Sequence, residues 1–252
     1  MDYPSSREAA SELRVVASSP STNSELLALA ADPAVPSFTA LLTLDQTAGR
    51  GRLDRAWVAP PGTALALSVL VRGALSSPLA GWLPLLAGLS LAEALDAVAP
   101  GRVGVKWPND LLLDGRKVCG ILVEVAAGGR DVVIGSGLNL TQTAEQLPVE
   151  TATSLALAGV DLGPGDVDGI VAAYLARLRD ELERPGPVSR LRERVAARCT
   201  TIGMPVRVAL ADGSTLTGVA TRLDEGGRLE VLSESGDAVA VAVGDVTHVR
   251  PV

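Results

Sequence analysis

The side chains of this 252-residue chain that are equipped for chemistry gather in two short segments. The first runs from Asp45 and Gln46 through Gly49-Arg50-Gly51-Arg52 to Asp54, Arg55 and Trp57. Glycines let the backbone turn closely around an anion with successive N–H groups pointing inward. Arginines between them supply permanently positive, planar forks that match a phosphate or a carboxylate. The pattern is neither GxxxxGK[ST] nor a GxGxxG between strand and helix, so it supports neither a P-loop nor a Rossmann site. A solvated surface loop would have the same composition.

The second segment opens with Lys106-Trp107-Pro108-Asn109-Asp110 and continues to Arg116-Lys117 and Gly120. Of 22 basic side chains only Lys106 and Lys117 are lysine. A compact ammonium with rotatable donors suits the oxygens of a phosphate or carboxylate during group transfer, although chance retention gives the same count. Asn109 offers a donor and an acceptor, and Asp110 a negative charge near Lys106. The alternative is a turn capped by Asn109 and Asp110, with Trp107 filling a core.

Composition sets bounds on what these residues serve. With 47% hydrophobic and 20% charged residues, the chain reads as an ordinary globular protein, one large domain or one domain with a small companion. Net charge is −7, and the one positive stretch, residues 46–55, is short enough for a single phosphate or carboxylate and too short for a duplex. Cys119, Cys199 and a lone His248 form no zinc pattern and fit a reducing, cytoplasmic setting. Cys119, inside an apolar β-run, reads as a buried, inert thiol. The start MDYPSSREAA is no signal peptide. Residues 73–92 are uncharged, but Pro78, Pro84 and an apolar pattern continuing past Glu93 and Asp96 describe a core helix rather than a membrane span.

The elements that must position the two segments follow from periodicity. Strands are expected at 12–16, 37–45 and 64–71, after a short frayed start. Thr22 is expected to cap a helix, since Thr22-Asn23-Ser24-Glu25 has capping-box spacing. A core helix should run from Leu83 or Pro84 to about Val98. Residues 104–125 read as strand, loop, strand, tight turn at Asp114-Gly115, and strand, with another β-run over 128–140. Helical signals dominate 164–199, and five short β-like runs follow from Met204, with turns at Asp212-Gly213, Gly226-Gly227 and Ser235-Gly236-Asp237.

Taken together, STN at 21–23, DQTAGRGRLDRAWVAPPG at 45–62, KWPNDLLLDGRKVCGILVE at 106–124, GSGLNL at 135–140 and the β-runs from Met204 resemble the biotin–protein ligase (biotin–[acetyl-CoA-carboxylase] ligase) family, in the family's order along nearly the whole chain. The resemblance implies an α+β fold: a class II synthetase-like catalytic domain over 1–202, with a mixed β-sheet and packed helices, then a small SH3-like β-barrel over 203–252. It looks like the short form without the DNA-binding winged helix, which ligates and does not repress. The implied reaction joins biotin and ATP, with Mg²⁺, into biotinyl-5′-AMP. Biotin then passes to one lysine of a biotin carboxyl carrier protein or domain. No nucleic acid or membrane partner is expected, and the chain would be a monomer or weak homodimer.

Carried over by matching motif, Arg50 and Arg52 sit in the loop that closes over the adenylate, with Gly49, Gly51 and Arg55. Lys106 is the first choice for touching carboxylate and α-phosphate oxygens, joined by Arg52 and Asp110 as catalytic groups. Lys117 is a second candidate in the same pocket, beside Gly120. Ser21, Thr22, Asn23 and Gln46 match positions around the biotin ureido ring, Trp57 a ring over the adenine or a latch for the loop, and Asn139 a contact to phosphates or metal. No fixed protein metal site is implied. Asp54 stands where the family usually has glycine, and its charge would either pair with Arg52 or Arg55 or oppose the triphosphate. A lipoate or octanoate ligase or transferase is the nearest alternative, and a non-catalytic biotin- or carrier-binding protein the next.

Overall fold

The computed structural model describes residues 2–210, 213–242 and 244–248; Asp212, Val249 and Arg250, expected in a turn and in the last β-run, lie outside them, as do the side chains of Asp54 and His248. The chain begins with α1 (Pro4–Ala9), β1 (Glu12–Val15), α2 (Thr22–Leu29) and β2 (Thr39–Thr43). A two-strand hairpin, β3 (Gly49–Arg50) and β4 (Ala56–Trp57), precedes β5 (Ala64–Val71) and α3 (Leu83–Leu95). Next come β6 (Val103–Lys106), β7 (Asp110–Leu113), β8 (Arg116–Val125) and β9 (Val132–Asn139), then α4 (Asp166–Glu183) and α5 (Val188–Arg198). Strands β10 (Pro205–Ala209), β11 (Thr215–Leu223), β12 (Leu229–Ser233), β13 (Ala238–Val241) and β14 (Asp245–His248) end the described chain.

Seven strands form one sheet in the order β1-β2-β5-β9-β8-β7-β6. Only β1 and β2 run parallel, which makes the sheet mixed. Its two faces follow from the two-residue period of a strand. Leu65, Leu67 and Val69 of β5 and Ile134 and Leu138 of β9 point to one side and join the leucines of α3 and the apolar stripe Ile170, Val171, Tyr174, Leu175 and Leu178 of α4 in the main core. Helix α3 is leucine-rich and covered nearly all round, and Pro84 is accommodated in its first turn, where a missing N–H costs nothing. On the opposite face α2 packs Leu26 against Leu41, Leu70 and Val133 in a smaller cluster. That short helix covers only one end of its face.

The N-terminal segment is helical rather than frayed, because Asp168 of α4 reaches its first turn. The carboxylate accepts the N–H groups of Ser5 (2.9 Å) and Ser6 (2.8 Å) and the Ser6 hydroxyl (2.6 Å). Burial alone would raise this carboxyl's pKa, but the donations from Ser6 and Ser5 outweigh it and hold the group below the usual carboxylate range.

Five antiparallel strands build the second sheet, in the order β13-β12-β11-β10-β14. It is open: β13 and β14 are its edges and are not paired with each other among the described residues. The expected SH3-like barrel is therefore corrected to an open sheet. Alternating apolar residues specify strands, and they do not specify whether the outer two meet. Its inner residues Val206, Val208, Leu229 and Val231 merge with the main core, beside Trp82 and Trp107. Both indoles also hook the β11–β12 turn, Trp82 Nε1 donating to the Glu225 carbonyl (2.9 Å) and Trp107 Nε1 to that of Gly227 (3.0 Å).

Candidate active site

On the α2 face of the seven-stranded sheet lies a cavity of about 330 Å³. Small residues open it. Register puts Ala66, Gly137 and Gly120 in one row across β5, β9 and β8, with Gly135 and Leu122 in the next. Glycine is required where neighbours come close. A Cβ on Gly135 would stand 2.2 Å from Asn23 Oδ1, and one on Gly137 2.7 Å from the Trp57 ring.

One wall is the start of α2. Ser21, not Thr22, is the N-cap, its hydroxyl accepting the Ser24 N–H (3.4 Å). Thr22 is the first helical residue and gives its N–H (2.9 Å) and hydroxyl (3.1 Å) to Gln46 Oε1. Asn23 donates from Nδ2 to Glu124 Oε2 (2.8 Å) and to the Leu122 carbonyl (3.3 Å), while its Oδ1 lies 2.6 Å from the donating Ser68 hydroxyl. The result is a fixed array of donors and acceptors at the α2 end of the cavity.

The Gly/Arg segment lines another side of the cavity. Gly49 pairs with Trp57 and Arg50 with Ala56, and the Gly51 N–H closes the hairpin on the Arg55 carbonyl (2.7 Å). Positive φ in this segment falls on Leu53 (φ 55°, ψ 43°), 67% exposed at the tip. Arg50 pairs with Glu124 (2.8 Å). Arg52 crosses to the far side, donating to Asn109 Oδ1 (2.9 Å) and to the Gly244 carbonyl just before β14 (3.1 Å). Asn109 is itself held, its Nδ2 donating to the Ile121 carbonyl (2.7 Å).

The lysines diverge. Lys117 Nζ lies 2.7 Å from Asp110 Oδ1, and both residues line the cavity. Strict alternation would turn Lys117 to the helix face together with Cys119 and Ile121. A bulge prevents it: Leu111 opposes Cys119 and Leu112 opposes Lys117, leaving Val118 as an extra residue. Val118 and Cys119 both enter the main core, and Lys117 emerges on the cavity side. Lys106 stands opposite Asp110 on the edge strand and does not line the cavity. Burial pushes the Cys119 thiol far above its ordinary pKa, as an inert core cysteine requires.

Of the residues singled out from the sequence, Ser21, Thr22, Asn23, Gln46, Arg50, Gly51, Arg52, Arg55, Trp57, Asp110, Lys117, Gly120 and Asn139 line this one cavity, while Gly49 and Lys106 do not. Asn139 is buried, its amide donating to the Thr153 carbonyl (2.9 Å). Sequence reasoning missed Glu124, Ser68 and the 148–152 segment, whose Pro148, Val149 and Ala152 close the cavity beside Lys117. The available signal for Glu124 was a lone acid in an apolar strand. Among the described lining residues, arginines and a lysine outnumber the single carboxylate of Asp110, so the cavity is suited to bringing anions together.

Residues 15–140 match the biotin/lipoate A/B protein ligase family. The chain is 42% identical to the biotin–[acetyl-CoA-carboxylase] ligase of Mycobacterium tuberculosis, over 95% of this chain and 90% of that protein. It is 32% identical to the ligase of the same description from Paracoccus denitrificans, over 90% and 97% of the two chains. Among solved structures, biotin protein ligase from Aquifex aeolicus in complex with biotin and ATP superposes with a TM-score of 0.77 and 26% identity, covering 96% of this chain and 100% of the other. With both segments converging on one cavity, and with relatives this similar along nearly their whole length, the chain belongs to the biotin/lipoate A/B protein ligase family.

Proposed function

We infer that this chain is a biotin–protein ligase, activating biotin with ATP and transferring it to a lysine of a carrier protein. The observation that carries this reading is the meeting of the Gly/Arg hairpin and Lys117 over one cavity, with fixed hydrogen-bonding groups at one end and positive charge at the other. In the first step a biotin carboxylate oxygen attacks the α-phosphorus of ATP, pyrophosphate leaves, and biotinyl-5′-AMP forms. In the second, the unprotonated ε-amine of a carrier lysine attacks the acyl carbon, AMP leaves with the bonding electrons, and the amine loses a proton.

The first step brings together two anions that repel each other, and the second expels the AMP anion, so fixed cations and oriented N–H groups lower both barriers. Geometry favours Lys117 over Lys106 for the reacting oxygens, with Asp110 holding its ammonium in place. Arg52 and the hairpin N–H groups would cover the phosphate. Thr22, Asn23 and Gln46 suit a cyclic urea, whose carbonyl accepts and whose two N–H groups donate. Mg²⁺ would neutralise phosphate charge. Among the described lining residues Asp110 is the carboxylate that could touch it, which fits an ion that keeps phosphate and water ligands rather than a protein cage. No group of three or more His, Cys, Asp or Glu that could hold a metal occurs among the described residues.

The acceptor is a biotin carboxyl carrier domain, and we place the reaction in the cytoplasm. Among the described residues no helix is long and apolar enough to cross a membrane. Incubation with biotin, ATP and Mg²⁺ should yield protein-bound biotinyl-5′-AMP by mass spectrometry. A parallel incubation with lipoate or octanoate should yield no acyl-adenylate. Activation of lipoate and not biotin would overturn the assignment.

A further inference from the structure

Glu124 is an acid in the otherwise apolar run Ile121-Leu122-Val123-Glu124-Val125 of β8, opposite Val133 of β9. A carboxylate is poorly suited to that place unless its oxygens are used. Here they are: Arg50 Nη2 reaches Oε1 at 2.8 Å and Oε2 at 2.9 Å, and Asn23 Nδ2 donates to Oε2 at 2.8 Å. Asn23 is held in turn by the Ser68 hydroxyl (2.6 Å) and the Leu122 carbonyl (3.3 Å). Glu124 itself does not line the cavity, whereas Arg50 and Asn23 both do. The pairs are 74 and 101 residues apart in sequence, so nothing local holds them together.

We propose that Glu124 is a positioning residue for substrate activation, holding Arg50 and Asn23 at once so that the Gly/Arg hairpin closes against the start of α2 at the urea-binding end of the cavity. An isolated exposed ion pair contributes little. This carboxylate is different in bridging two walls, one of which the hairpin must reach each time it closes. Losing it frees the hairpin at its base and lets the Asn23 amide rotate, so weakened biotin binding is the expected symptom. The ATP end is held separately, through Arg52 and Asn109. The inference rests on the ligase reading above.

The test uses the full chain and measures biotin-dependent pyrophosphate release, with KM for biotin and for ATP determined separately. Glu124→Ala should raise the biotin KM by about tenfold or more while the ATP KM stays within about twofold. Glu124→Gln, nearly isosteric and able to accept but uncharged, should fall between Glu124→Ala and the parent. Arg50→Met combined with Glu124→Gln should be no worse than the more damaging single change, because both remove one interaction. An unchanged biotin KM in a folded Glu124→Gln protein, or effects that multiply independently, would overturn the proposal. If the unaltered chain forms no biotinyl-adenylate, the ligase reading falls first. Activity in that chain with indifferent Glu124 variants removes this inference alone.

Discussion

Lys117 holds its ammonium 2.7 Å from the Asp110 carboxylate on the cavity side of the sheet, while its chain neighbour Val118 is buried in the core on the other side. Lys106, on the outermost strand, faces the same Asp110 backbone position without reaching the cavity lining. Single-turnover formation of biotinyl-adenylate separates the two lysines. Lys117→Gln should slow it by about 10²-fold or more, the usual loss when one charge-stabilising group is removed from a transition state. Lys106→Gln should cost far less. A larger loss from Lys106→Gln would reverse the assignment.

Asn109 tethers the Gly/Arg hairpin, accepting from Arg52 and donating to the Ile121 carbonyl. Asn109→Ala removes both bonds and should destabilise the fold by about 1–2 kcal/mol. It should also make the hairpin a better trypsin substrate, with cleavage after Arg50, Arg52 or Arg55 several-fold faster than in the parent at equal folded fraction. Equal cleavage rates would mean that Arg52 does not restrain the hairpin.

The glycine at 135 leaves space that Asn23 occupies, since an added methyl would meet Oδ1 at 2.2 Å. Gly135→Ala must therefore push the Asn23 amide off Ser68 and Glu124. Biotin affinity, read by calorimetry, should fall by about tenfold, with a cost to stability of about 1–3 kcal/mol typical of overpacking. Unaltered biotin affinity would show that the Asn23 amide takes no part in binding.

Asp168 supplies a pH dependence with a defined sign. Its carboxyl pKa is lower in the folded chain than in the unfolded one, because Ser5 and Ser6 donate to the ionised form against the opposing effect of burial. The unfolded chain thus binds the proton more tightly, and the stabilisation is fully present above the ordinary aspartate value of about 3.9 and lost as pH falls through the folded value. Asp168→Asn should lower the melting temperature near neutral pH and differ progressively less from the parent below about pH 4. A gap that stays constant down to strongly acid pH would contradict this.

Much of this was legible before any coordinates. Strand β5 falls on the expected residues 64–71, and helix α3 begins at Leu83 and ends a turn earlier than anticipated. These are long apolar runs whose period admits one reading. What stayed hidden depends on neighbours far along the chain. The α1 segment is helical because of Asp168, and the closure of the second sheet turns on whether β13 and β14 meet. The choice between the lysines hinges on a single bulge residue. Parity counted from Cys119 sends Lys117 into the core, and only the pairing of Leu111 and Leu112 with Cys119 and Lys117 reveals the extra Val118. Glu124 lies within a matching motif, but its sequence neighbours give it no role, since its partners Arg50 and Asn23 lie on other elements.

The indole hooks of Trp82 and Trp107 on the β11–β12 turn bear on how the molecule fails under heat. Trp107 directly precedes the segment that carries Asn109 and Asp110, and Arg52 adds a second strap from the hairpin to Gly244. Loosening the distal sheet would therefore slacken the hairpin beside the cavity instead of shedding an independent appendage. On a melting curve, tryptophan fluorescence and residual turnover should decay in step, as one cooperative event.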